Sequence, residues 1–149
     1  MSGIGAVVVV AALVVTAVVA WWVQTRNGAV RTPAPERAGG IPSHLPVFAR
    51  LGVRPEEADL TVVQFSTAFC GPCRSTKARL QHLQTTRPGL AYVHVDAESH
   101  LDEVRELDVR RTPTLFYLGR DGELIGRSSG APRPDELTAL VDAHAGAGT

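Results

Sequence analysis

The chain contains two cysteines, and they stand together as Cys70-Gly71-Pro72-Cys73. An apolar run, Leu60-Thr61-Val62-Val63-Gln64-Phe65, precedes them, and a helical pattern starts at Arg74. A strand that feeds a CxxC at a helix start sets a sulfur against unpaired backbone N–H groups and the positive end of the helix dipole. That environment favours the thiolate, which is the nucleophile in thiol chemistry. A disulfide between such close neighbours would close almost no loop and add little stability, so the pair reads as redox chemistry. Cys70, first and at the helix start, is the expected attacking thiol, and Cys73, one turn in, the resolving one. Gly71 admits a close backbone approach. Pro72 sits where a missing N–H costs nothing. The competing readings are two structural cysteines or half a zinc site. Zinc takes four ligands, and His44, His82, His94, His100 and His144 are scattered over different elements. No metal ligand and no cofactor is therefore assigned.

A second signal lies further along, where Arg110-Arg111-Thr112-Pro113-Thr114 leads into the strand-like Leu115-Phe116-Tyr117-Leu118. Between and after these motifs the pattern predicts alternating elements. Leu60–Ser66 is a buried strand, and a helix runs from Gly71 to about Thr86, ended by Pro88-Gly89. Leu90–Val95 is a strand. Ser99 is the expected N-cap of a helix to Leu107, with Leu101, Val104 and Leu107 as its apolar face. Thr114–Leu118 and Glu123–Ser128 form a hairpin around Arg120-Asp121-Gly122. The last helix is Pro134–His144, with Leu137, Leu140 and Val141 inward. Leu45, Val47, Phe48 and Leu51 suit a short helix packed on the sheet.

Phe69-Cys70-Gly71-Pro72-Cys73-Arg74 together with Thr112-Pro113-Thr114, in a β-α-β-α-β-β-α order, resembles the thioredoxin family. The resemblance runs from about Leu60 to Ala145. It takes in Val93-His94-Val95-Asp96 at the end of a middle strand, Asp121-Gly122-Glu123 at a turn, and Gly130 after the last strand. It implies an α/β thioredoxin fold, a central mixed β-sheet flanked by helices. It also implies that Pro113 is a cis-proline beside the CxxC, so that Thr112, Pro113, Phe69 and Gly130 form the substrate-binding surface. The Gly-Pro between the cysteines is similar to that of the reducing members. The chain departs from the family where typical members carry an acid (here Gln64), a lysine (Tyr92), tryptophans (Ser66 and Phe69) and a helix proline (Ala78). Gln64 cannot accept a proton. It is therefore expected to modulate the thiols, easing ionisation of Cys70 and slowing deprotonation of Cys73.

Ahead of this domain, residues 4–23 carry no charge and one polar side chain, Thr16. Twenty helical residues span ~30 Å, the hydrocarbon thickness of a bilayer. Trp21 and Trp22 close the segment as interfacial aromatics, and Arg26 and Arg31 follow. A cleaved signal peptide would call for a basic start, which Met1-Ser2-Gly3 lacks. The expectation is one uncleaved transmembrane helix at 4–23, a Pro/Gly-rich linker at 24–46, and a thioredoxin-like domain at 47–146. About twenty linker residues would reach roughly 25 Å. Positive charge on the C-terminal flank places the domain in the cytoplasm. Exported thioredoxin-like proteins leave the extracytoplasmic side as the alternative.

The formal net charge is zero, which gives no field for nucleic acid. The expected activity is that of a membrane-tethered thiol–disulfide oxidoreductase, working as a disulfide reductase. Its partners would be protein disulfide substrates, an unidentified electron donor and membrane lipid. An exported reductase or oxidase, or a non-catalytic adaptor or chaperone module, are the alternatives.

Overall fold

A computed structural model describes residues 2–26, 28–31 and 44–146. Its elements in chain order are α1 (Ser2–Arg26), β1 (Val30–Arg31), α2 (Leu45–Arg50), a 3-10 turn (Pro55–Glu57), β2 (Leu60–Ser66), α3 (Gly71–Thr86), β3 (Leu90–Asp96), α4 (Leu101–Glu106), β4 (Thr114–Gly119), β5 (Leu124–Ser129) and α5 (Pro134–His144). One mixed sheet has the order β1-β5-β4-β2-β3. Among the described strands only β2 and β3 run parallel, joined through α3, with Leu60 opposite Leu90 and Ser66 opposite Asp96. β4 lies antiparallel on the other side of β2, and β5 antiparallel to β4.

β2 is buried along its whole length, because both faces of the sheet are covered. Period-two alternation splits its side chains between two cores. Leu60 and Val62 pack with Leu80 and Leu83 of α3 and Leu137 and Val141 of α5. Val63 and Phe65 pack with Val47 and Phe48 of α2, Leu107 and Phe116 on the opposite face. Phe116 meets Phe48 and Phe65 edge to face, at centroid distances of 5.4 and 5.8 Å. Such pairs add to the burial of their area.

Three expectations need correction. The linker assigned to 24–46 includes β1, which pairs with β5 through Val30↔Ser128 and Arg31↔Arg127. Two residues carry no readable periodicity, so the sequence hid this edge strand. The first residues of that segment, to Arg26, belong to α1 and its last, from Leu45, to α2, while 32–43 lie outside the described residues. Ser99 is not a helix cap: its hydroxyl donates to the Asp96 carboxylate, which holds a turn at the end of β3. His100 occupies the cap position without a side-chain cap bond. Leu101 points to solvent, 53% exposed, so the inward side chains of this region are Val104 and Leu107.

α1 contains, at Gly5–Val23, a stretch long and apolar enough to cross a membrane, and none of it is buried against the protein. Length and apolarity of this kind are what a membrane span or a signal sequence requires.

Candidate active site

β2 delivers the chain to the N-terminus of α3 at the carboxyl edge of the sheet. Cys70 is the N-cap residue, in extended backbone (φ −103, ψ 99), and the N–H of Cys73 donates to its sulfur at 3.2 Å. This is the place where a helix offers N–H groups with no carbonyl partner. Cys70 and Cys73 are joined as a disulfide, with Cα atoms 5.2 Å apart. Both are largely covered, Cys70 at 8% exposure and Cys73 at 3%. Gly71 and Pro72 lie open to solvent beside them, and Phe69 is 98% exposed. A disulfide at a helix start with an uncovered rim can be met by an incoming thiol, and the reduced pair by another disulfide, without moving the core.

Below the motif sits Gln64, fully buried. Its Nε2 donates to the Cys73 carbonyl at 3.0 Å and to Ser66 Oγ at 2.9 Å. Its Oε1 accepts from the Tyr92 hydroxyl at 3.1 Å. The amide is satisfied at both ends, as a buried polar group must be. Burial pushes the Tyr92 phenol up to about 12, so this network is neutral at ordinary pH. The place of Gln64 on the buried strand that leads to the motif was legible from sequence. The bond linking it to Tyr92 was not, because the two meet only through the parallel pairing of β2 and β3.

The Thr112-Pro113 bond is cis, and Pro113 is buried. Two contacts tie this loop to its neighbours. Thr112 Oγ1 lies 3.3 Å from Thr67 Oγ1, just before the CxxC. The N–H of Gly130 donates to the Pro113 carbonyl at 2.8 Å. Gly130 has φ 99, a backbone region that favours glycine. The structure thus brings Cys70, Cys73, Thr112, Pro113 and Gly130 to one edge of the sheet, with Gln64 beneath them. Thr67 was missed from sequence, having no pattern to mark it. Arg110 of the Arg pair bonds to Asp108.

His94 stands opposite Gln64 in the β2/β3 register but is exposed. Its pKa is lowered, first by desolvation and then by Lys77. Among the described residues no group of three or more His, Cys, Asp or Glu side chains is placed to hold a metal.

Comparison with known proteins agrees with this geometry. The Thioredoxin family matches residues 53–143. Thioredoxin H4-1 of Oryza sativa subsp. japonica is 30% identical over 58% of this chain and 68% of its own length. Mitochondrial Thioredoxin-3 of Saccharomyces cerevisiae is 36% identical over 51% of this chain and 59% of its own. Thioredoxin-2 of Pyricularia oryzae is also 36% identical, over 47% of its length. The chain thus spans between about half and two thirds of these relatives. The crystal structure of oxidized mitochondrial thioredoxin 3 from S. cerevisiae superposes with a TM-score of 0.52 at 31% identity, covering 59% of this chain and 81% of that one. With the disulfide at the start of α3, the cis bond at Pro113 and the family match across most of the sheet, the chain belongs to the thioredoxin family and is by class a thiol–disulfide oxidoreductase.

Proposed function

We propose that this protein is a membrane-tethered disulfide reductase for protein substrates, anchored through residues 4–23 with its thioredoxin domain on the cytoplasmic side. The observation that carries the redox reading is the Cys70–Cys73 disulfide at the start of α3, next to the Thr112-Pro113 loop. In the reduced enzyme, the Cys70 thiolate attacks one sulfur of a substrate disulfide. A Cys70–substrate mixed disulfide forms and the other substrate sulfur leaves as a thiolate. Cys73 then loses its proton and attacks Cys70 Sγ, which expels the second substrate thiolate. The substrate ends as a dithiol and the enzyme as the disulfide seen here. A dithiol donor restores the enzyme by the same exchange in reverse.

Several features support these roles. Cys70 takes the capping position, where the Cys73 N–H and the helix dipole stabilise a negative sulfur. Cys73 is the more deeply covered of the two, which suits attack on its neighbour. Thr112, Pro113, Phe69 and Gly130 supply the substrate-facing rim. The Gly71-Pro72 pair supports the reducing direction. The anchor rests on the length and apolarity of α1, and the orientation on the arginines that follow it.

A disulfide-reduction assay with a dithiol donor tests the chemistry: wild type should turn over a protein disulfide, and Cys70→Ser should not. Wild type no faster than the dithiol donor alone, and no faster than Cys70→Ser, would leave a binding module as the better account. A reporter fused after Thr149 tests the orientation.

A further inference from the structure

The chain enters the sheet beside the redox edge. The N–H of Gly28 donates to the Ser129 carbonyl at 2.9 Å, and the very next residue, Gly130, donates through its own N–H to the Pro113 carbonyl at 2.8 Å. From Gly28, β1 runs antiparallel to β5, Val30 opposite Ser128 and Arg31 opposite Arg127. It therefore leads away from that edge. Val30 also packs against the core on the α3/α5 face. The junction is tightly fitted: Gly28 has φ 83, and a Cβ there would lie 2.0 Å from the Ala131 carbonyl oxygen. Only glycine fits this approach.

α1 runs to Arg26, and its apolar stretch ends at Val23. From Val23 to Gly28 the chain reaches roughly 12 Å, with helical rise to Arg26 and extended steps beyond. The two ends of segment 32–43 are both joined to the domain, by β1 on one side and α2 on the other. It lies beyond the point of attachment and so adds nothing to the tether.

We infer that β1 docking holds the Cys70/Pro113 edge against the membrane surface, and that the preferred substrate is a disulfide in a membrane-embedded protein, close to the bilayer. This rests on residues 4–23 being a retained membrane anchor. A long flexible tether would let the domain meet any soluble disulfide equally. A short one raises the effective concentration of membrane-borne partners and limits the heights at which they are met. The exchange itself is unchanged: the enzyme dithiol becomes a disulfide as the substrate disulfide becomes a dithiol. The opposite end of the sheet, at the β4–β5 turn around Asp121, lies a strand length further from the membrane, about 20 Å.

The test uses the full chain in phosphatidylcholine/phosphatidylglycerol vesicles doped with headgroup-nitroxide lipid. A fluorescent maleimide is placed on Cys70 in Cys73→Ser, or at position 121 in Cys70→Ser/Cys73→Ser/Asp121→Cys. The dye at Cys70 should be quenched several-fold more than the dye at 121. Inserting about twenty Gly/Ser residues between Asn27 and Gly28, which adds a reach of roughly 25 Å, should abolish that difference. In turnover, a transmembrane peptide with a disulfide loop beside its apolar segment should be reduced ~10-fold more slowly by the insertion variant. A soluble peptide with the same loop should be reduced at an unchanged rate. Equal quenching at both positions, or equal peptide rates with and without the insertion, in protein that stays with carbonate-washed vesicles, overturns this inference alone. Loss of the intact chain from the washed vesicles overturns the anchor and this inference together.

Discussion

Gln64 donates through its side-chain amide to the backbone carbonyl of Cys73, at 3.0 Å. A fully buried side chain of β2 is thereby fastened to the first turn of α3, at the residue proposed to attack Cys70. The direction of the bond is fixed from behind, because the Tyr92 hydroxyl donates to Oε1 and leaves only the NH2 to face the helix. The result is a rigid, proton-neutral floor: it positions Cys73 but takes no proton from it.

Replacing that amide with an acid should change the chemistry. In Gln64→Asp the shorter side chain withdraws from the Cys73 carbonyl, and its burial raises its own pKa towards neutrality. It could then accept the Cys73 proton directly or through one water. Decay of a Cys70 mixed disulfide near pH 7 should accelerate by up to ~10²-fold. The added negative charge should also raise the Cys70 pKa. Stopped-flow thiolate absorbance against pH reads both effects. Unchanged decay with an unchanged titration would show that position 64 is not coupled to the thiols.

Alkaline stability should report the two buried phenols. Burial pushes Tyr92 and Tyr117 up to about 12, although Tyr117's bond with Ser128 pulls the other way. In the unfolded chain tyrosine ionises near pH ~10. Between these limits the unfolded state gives up protons that the folded state keeps, so stability falls as pH rises. Their contribution is whole below pH ~10 and lost on approaching ~12. Tyr117→Phe should flatten this decline more than Tyr92→Phe, because Tyr117 is fully buried and Tyr92 only partly so. Urea midpoints at several pH values across that range check it; parallel profiles in wild type and both variants would contradict it.

What could be read from the sequence was local. Cys70, Cys73 and Pro113 announce themselves because a short motif fixes both residue type and place in the fold, and β2 does so because seven successive residues are buried. What could not be read depends on distant pairing or on very short elements. β1 has two residues, and its partner strand lies about a hundred positions away. Ser99 looked like a cap because serine before an apolar run usually is one. Asp96, three residues earlier, bound its hydroxyl first. Leu101 fitted a helical stripe, but α4 is a six-residue helix, too short for all three apolar positions to turn inward. The Gln64–Tyr92 bond needed the β2/β3 register, which no single-strand pattern contains.

The order of the two thiols should appear in trapping. Cys73→Ser leaves the attacking sulfur without its resolver, so mixed disulfides with substrate should accumulate. Cys70→Ser should accumulate none, because Cys73 is 3% exposed and no substrate sulfur can reach it in line. Non-reducing gels of both variants after incubation with an oxidised protein substrate give the answer. The reverse pattern would exchange the two roles.

Arg127 of β5 should prove a main support of the loop that carries Pro113. Its guanidinium donates to the carbonyls of Leu107 at 2.9 Å and Asp108 at 2.7 Å, and lies 4.9 Å from the centroid of the Phe116 ring. Leu107 is the C-cap of α4, where helix carbonyls have no partner of their own. Asp108 follows at φ 51, a left-handed turn that points its carbonyl at the same cation. A planar fork can serve both oxygens and still stack on the ring, and an ammonium cannot. A bond to a charged group contributes about 1.5–3 kcal/mol net, and less at a partly exposed side chain such as Arg127, where water can take its place. Arg127→Lys should therefore cost about 1 kcal/mol. Arg127→Met, which keeps the stem over Phe116 but frees both carbonyls, should cost about 2 kcal/mol and lower Tm by roughly 10 °C. Urea and thermal melts of the reduced protein measure both values. Reduction of a small soluble disulfide at 25 °C should persist in each variant, since neither cysteine is touched. A midpoint unchanged in Arg127→Met would mean that water serves the two carbonyls as well as the guanidinium does.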